Sequence, residues 1–327
     1  MNSKSDSKKS DKGKSFGWLK LLTGGTVVFL ILLLVTAYPF IQNYRVVSQL
    51  EAKIFNIKKS PGFILHSLPE GWEGGFREFL GDGFLSAFEK VEELGLAGPS
   101  VDDKTLKQIR GLTDIHKLYL SDTNVTNEGL AYLKNLSKLE RLSISKRTMT
   151  MSGISYIKGK EKVTDSGLIH LKSLPNLNDL SLPGLAITDA GLLQISTLTR
   201  LHSLEVDGTK ITDAGLPHLE KLSNLVSLSL SSTNVTDAGI IHLKALSKLS
   251  VLNLSATSIT DSGIANLKGF PSLRILTLHE TLITDKGLSH LQGIPHLKSI
   301  LLPKTRISNH GLEKIQKTLP GCHISRF

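Results

Sequence analysis

Two ladders of side chains are the first place in this sequence to look for chemistry. His170, His218, His242 and His290 recur at multiples of 24 residues, and Asp165, Asp189, Asp213, Asp237, Asp261 and Asp285 recur every 24. Stacked imidazoles invite a metal, and stacked carboxylates invite calcium. Zinc needs several ligands converging on one point, yet only His218 and His242 fall in adjacent copies, and no Cys or carboxylate shares their position. Calcium needs a shell of oxygens, and the glycine-turn carbonyls that complete such shells in Gly-Asp-rich β-helix repeats are missing here. The histidines therefore read as a polar helix face and the aspartates as helix caps. Serine is abundant, but there is no Gly-x-Ser-x-Gly, no phosphate-binding glycine loop and no His-Glu-x-x-His. No residue is assigned a catalytic, cofactor-binding or metal-ligating role, and the chain reads as non-enzymatic. Its one cysteine, Cys322, excludes an internal disulfide and leaves the redox compartment open. The sequons at Asn124, Asn135, Asn234 and Asn253 carry meaning only in a eukaryotic secretory pathway.

The ladders are by-products of a repeat. Six copies of a 24-residue unit run without a break from Val163, Ile187, Ile211, Val235, Ile259 and Ile283, each opening with Thr-Asp and carrying Gly at its fifth position. The second half of each copy reads L-x-x-L-x-L-x-x-T-x-I/V, as in Leu225, Leu228, Leu230, Thr233 and Val235. That is the strand signature of a leucine-rich repeat, with Thr where Asn is commoner. Leu228 and Leu230 alternate with Ser227, Ser229 and Ser231, so the leucines face a core and the serines face out. Leu216, Leu219 and Leu222 are three apart and share one face of a short α or 3₁₀ helix, which Thr212 or Asp213 caps. Pro217 is tolerated if that helix starts late. One copy cannot bury its leucines, but stacked copies can. The expected fold is α/β: a right-handed leucine-rich-repeat solenoid with a parallel concave sheet and short convex helices, preceded by one transmembrane helix.

The rest of the chain starts, anchors and caps the array. Residues 1–20 are a solvated basic tail, and residues 21–41 carry no charge, about the length of a spanning helix. Six lysines precede that stretch, which places the N-terminus in the cytoplasm and the repeats outside, in a periplasm or on a cell surface. A cleaved signal peptide, with Val35-Thr36-Ala37 as its site, is the competing reading and would leave a secreted protein. Residues 42–76 read as a stalk, and the leucine-rich-repeat domain as 77–327 with an N-terminal cap at 77–100. Full copies start at Val101 and Val125. Residues 149–162 keep the helical half of a copy (Met149, Thr150, Gly153, Ile154) and lack the strand half, so they are a half-repeat or an insertion. Its end is basic, at Lys158, Lys160 and Lys162. The C-terminal cap is 307–327. The net charge of +10 includes +4 from the tail and is spread thinly elsewhere, which does not favour nucleic acid.

Function then rests on the outward strand positions. Ten of the 24 in the eight full copies are Ser, a flat polar floor, and the exceptions cluster. Lys117, Tyr119 and Arg141 mark the N-terminal end, Asp179, Glu205 and Asp207 the middle, and Val251, Ile275 and Leu301, expected side by side, the C-terminal end with His279. Aromatic, Arg and apolar residues supply most interface energy, so these are the candidate partner-binding residues for a protein or a glycan. No cofactor is implied.

The sequence resembles the membrane-anchored leucine-rich-repeat proteins of planctomycete-type bacteria. The likeness rests on Ile211–Leu219 (ITDAGLPHL), Leu319–Ile324 (LPGCHI) and Phe79–Asp82 (FLGD). It implies protein interaction at the cell envelope. The repeat is also similar to that of F-box leucine-rich proteins, which would imply substrate recognition in a ubiquitin ligase, but no F-box-like helical module precedes the array. A purely structural envelope spacer is the remaining alternative.

Overall fold

The computed structural model describes residues 42, 45, 46, 48–50, 53–60, 90–145, 147–150, 153–156, 162–303 and 306–326. The expected spanning segment 21–41, and the part of the N-terminal cap before Lys90, lie outside them. No helix among the described residues is long and apolar enough to cross a membrane. The chain divides into two compact units. One, Met1–Arg45 with Pro61–Glu89, has only the helical Gln42 and Arg45 described. The other, Val46–Ser60 with Lys90–Phe327, is the repeat array.

In the array, strands β1 (Ile54–Ser60), β2 (Lys90–Ala97), β3 (Lys117–Ser121), β4 (Arg141–Ser145), β7 (Asp179–Ser181), β8 (Ser203–Glu205), β9 (Ser227–Ser229), β10 (Val251–Asn253), β11 (Ile275–Thr277), β12 (Ser299–Leu302) and β13 (His323–Arg326) form one 11-stranded sheet in that order. From β2 to β13 the pairing is parallel and the register advances by one repeat, for example Leu204 to Leu228 to Leu252 to Leu276 to Ile300. These are the expected strand positions. In β7 to β11, however, regular pairing covers only the first residue of each Leu-x-Leu pair, and the second, such as Leu230, is buried just beyond the strand. Short α or 3₁₀ helices starting at or near each Thr-Asp stack in the same order. The leucines of both halves meet in a single core running the length of the array.

Three internal devices hold successive copies. Past the strand, a buried Thr donates its hydroxyl to the carbonyl three residues back, at 2.5–2.7 Å for Thr209, Thr233, Thr257 and Thr281. This satisfies a buried polar group locally and explains the Thr of the motif. The turns after β2, β3 and β7 to β11 each take a left-handed residue. Glycine fills it at Gly98, Gly184 and Gly208, whereas Asp122, Ser232, Ala256 and Glu280 adopt φ of 53–57° there, a conformation that costs an L-residue about 1–2 kcal/mol.

The third device corrects the reading of the aspartates. They do not cap their own helices; they bridge to the next copy. Asp189 Oδ1 accepts the Thr212 amide at 2.8 Å and its Oδ2 accepts the Thr212 hydroxyl at 2.7 Å, while Thr212 Oγ accepts the Ala214 amide and so caps the helix. The same pattern joins Asp103 to Thr126, Asp165 to Thr188, Asp213 to Thr236, Asp237 to Thr260 and Asp261 to Thr284. Asp285 closes the series on Ser308, whose hydroxyl and amide hold its carboxyl below the ordinary value of 3.8. The fifth-position glycine belongs to this device too. A Cβ on Gly215 would overlap Asp189 Oδ1, and one on Gly239 would overlap Asp213 Oδ1. Nor does the helix of Pro217 start late. It begins at Asp213 and is 3₁₀ throughout, so the missing N–H removes one bond from a segment built on shorter-range bonds than an α-helix.

Two more readings are corrected. Of the two alternatives for residues 149–162, the described residues fit the insertion and not the helical half-repeat. Arg147–Thr150 (β5) and Gly153–Tyr156 (β6) make an antiparallel hairpin in a sheet of their own, and β4 pairs directly with β7, Leu142 opposite Leu180. The reason is on the ladder. Asn127 takes the bridging role across the insertion, accepting the Thr164 amide at 2.9 Å and donating to its hydroxyl at 3.0 Å, so no rung is left for Thr150. The second correction concerns the stalk. β1 falls within residues 42–76, yet it pairs antiparallel with β2, Ile57 opposite Leu94, and covers the sheet edge. Leu50 is buried in the core, and Lys53 Nζ donates to Thr105 Oγ1 at 3.1 Å.

Candidate interaction surface

The outward strand positions form rows set by the register. One row runs Glu93, Lys117, Arg141, Asp179, Ser203, Ser227, Val251, Ile275, Ser299 and His323. The next runs Gly95, Tyr119, Ser143, Ser181, Glu205, Ser229, Asn253, Thr277, Leu301 and Ser325. Strand neighbours are about 4.8 Å apart, so each row is a rigid comb of side chains.

At the N-terminal end the cations are already engaged. Arg141 Nε and Nη2 both reach Asp179 Oδ2 at 2.7 Å, and Lys117 Nζ lies 3.6 Å from Glu93 Oε2. A side-chain hydrogen bond with Tyr119, together with the charge of Asp179, pushes the Arg141 pKa up against the opposing effect of burial. Tyr119, Arg141 and Asp179 are thus one connected cluster, with the Lys117–Glu93 pair beside it. Its ion pair is solvent-facing and adds little stability, but it holds the guanidinium in place beside the phenol ring.

In the middle, Glu205 Oε2 accepts the Ser181 hydroxyl at 2.7 Å. Asp207 is only 8% exposed and accepts the Ser231 amide at 3.0 Å, so it links copies and offers little surface to a partner. Towards the C-terminus Val251 and Ile275 are paired in register. Leu301 is not beside them. It sits one row over, opposite Thr277 and half-buried, because it occupies the second outward position of its copy and they occupy the first. Among the described residues Ile275 is the most exposed large apolar side chain of the sheet face, at 38%. His279 Nε2 lies 3.3 Å from Glu280 Oε1, while its buried Nδ1 has no hydrogen-bond partner among the described residues.

The ladders offer a ligand little. Each bridging aspartate has both oxygens occupied by the next copy, and His242 Nδ1 lies 3.5 Å from Glu220 Oε1. Among the described residues no group of three His, Cys, Asp or Glu side chains converges. Cys322 is buried, and burial pushes its thiol pKa up, away from the reactive thiolate. One surface feature escapes sequence reasoning. Ile169, Leu193 and Ile241, each about half exposed, occupy the same seventh position on the helical side. The signal was an apolar residue directly after the Gly-Leu or Gly-Ile pair of these three copies, masked by the leucine spacing around it.

The sequence model of the Leucine Rich repeat family matches residues 221–244, the strand half of one copy and the helix half of the next. No curated protein matches the chain. Among solved structures, internalin C2 from Listeria monocytogenes is similar at 24% identity and a TM-score of 0.49, covering 67% of this chain and 82% of its own. An internalin from the same bacterium is similar at 18% identity and a TM-score of 0.40, covering 82% and 98%.

Proposed function

We propose that this leucine-rich-repeat array is a non-enzymatic scaffold that holds a protein partner on its sheet face. The observation that carries the reading is the layout of that face. A serine-rich floor, locked in register, bears one polar-aromatic cluster at Tyr119 and Arg141 and one apolar pair at Val251 and Ile275. A flat polar floor binds weakly by itself, and separated anchors of these residue types are what interfaces use. Membrane anchoring through residues 21–41, with the repeats outside the cytoplasm, completes the proposal and rests on the charge-free run and the lysines before it.

The test is a binding measurement on a partner captured by the intact chain. Tyr119→Ala combined with Ile275→Ser weakens it at least about tenfold, a loss of roughly 1.4 kcal/mol, without lowering the thermal midpoint, since both side chains lie on the surface. Unchanged affinity moves the partner to the helical side or to the β5–β6 hairpin. Fractionation of the full-length protein with membranes, with its N-terminal tail intact, supports the anchor. A mature N-terminus at Tyr38 replaces it with secretion.

A further inference from the structure

One cleft among the described residues is set apart by its charge. It is an open cleft of about 460 Å³ where the last repeats meet the C-terminal cap. Arg274, His296 and Lys298 line it together with Leu297, Leu319 and Pro320, and none of its lining residues is acidic. Arg274 and Lys298 hold the same position in successive repeats, immediately before β11 and β12. The Lys298 amide donates to the Arg274 carbonyl at 2.8 Å, and the His323 amide donates to the Lys298 carbonyl at 2.7 Å, so the two residues are fixed one rung apart.

Five other cations bordering the sheet have a partner on a neighbouring rung. Lys117 has Glu93, Lys138 has Asp114, Arg141 has Asp179, Arg200 has Asn176 and Lys248 has Asn224. Arg274 and Lys298 have no ion pair and no side-chain hydrogen bond among the described residues. Two like charges one rung apart repel, and an anion between them would reverse the sign of that interaction. The guanidinium fork suits a carboxylate, with the ammonium as a second point charge. The cleft adjoins the start of β11 and β12, and Arg274 directly precedes the exposed Ile275 in sequence.

We propose that this cleft receives a carboxylate of the bound partner, from an acidic polypeptide segment whose neighbouring apolar side chain covers Ile275. The inference deepens the scaffold reading and rests on it. Its test is fluorescence anisotropy of the full-length protein with a labelled peptide, Ser-Glu-Glu-Leu-Glu-Phe-Gly, and with the same peptide carrying Gln for every Glu. The Glu peptide is expected to bind at least about tenfold tighter and to weaken with added salt. Arg274→Glu with Lys298→Glu abolishes that preference at an unchanged thermal midpoint, while Lys248→Glu leaves it intact. Equal binding of the two peptides, no detectable binding, or an unaltered preference in the double reversal overturns the inference. Preference for a heparin oligosaccharide over the Glu peptide also overturns it, in favour of an anionic glycan. A partner that loses affinity to Tyr119→Ala but not to the double reversal removes the cleft and leaves the scaffold reading standing.

Discussion

At the scale of single residues, the recurring Asp and Gly are one device split across two copies. Asp189 lies against Gly215 while both of its oxygens are held by Thr212. Its Oδ1 cannot withdraw from a new methyl group without giving up the Thr212 amide. Asp189→Ala leaves that amide unpaired and costs about 1–3 kcal/mol. Gly215→Ala overpacks the contact and costs a similar roughly 1–3 kcal/mol. The pair together should cost less than the sum by at least about 0.5 kcal/mol, because removing the carboxylate opens the space that the methyl group needs. Urea denaturation of the four proteins measures the cycle, and strict additivity would refute the coupling. The positions of Asp189 and Gly215 were legible in the sequence. Their partnership was not, since they are 26 residues apart and touch only when copies stack.

Among the elements, the β5–β6 hairpin is an insertion in an array that does not need it. β4 and β7 are already paired, and Asn127 already reaches Thr164. Deleting Met149–Lys162 joins Thr148 to Val163 and restores the 24-residue period. The shortened protein should keep its far-UV circular dichroism and melt within about 2–4 °C of the parent, the shift expected of no more than roughly 1 kcal/mol at this size. A larger drop would mean that the hairpin packs on the array and supports it. Spacing alone could show that a strand was missing there. It could not show a hairpin, because Met149, Thr150, Gly153 and Ile154 imitate a copy's opening, and the contest is decided by the bridging rung that Asn127 occupies. β1 was hidden for a related reason. Ile54 and Ile57 carry no repeat period and sit among lysines, and only the open edge of β2 gives them a place to pair.

For the whole molecule, an array of this kind is as stable as its nearest-neighbour interfaces and its ends. The C-terminal cap docks through the Asp285–Ser308 bridge and through β13, which pairs with β12 from Ser299 to Leu302. Truncation after Arg306 uncovers the last rung, including Ile300 and Leu302, which are fully buried in the intact protein. It should lower the thermal midpoint by several degrees and promote association through the open sheet edge. A monomeric truncation that melts with the parent would show that the cap is dispensable. The sequence by itself determined the repeat length, the parallel stacking, the outward strand positions and the faces of each leucine, because all of these follow from periodicity within one copy. Only the tertiary structure decided which copy each aspartate serves, which rung the insertion leaves out, how the first strand is covered, and that Arg274 and Lys298 share a cleft with no counter-charge among the described residues. Those are contacts between residues of different copies or of the non-repeating ends, and their energies exist only once the chain is stacked.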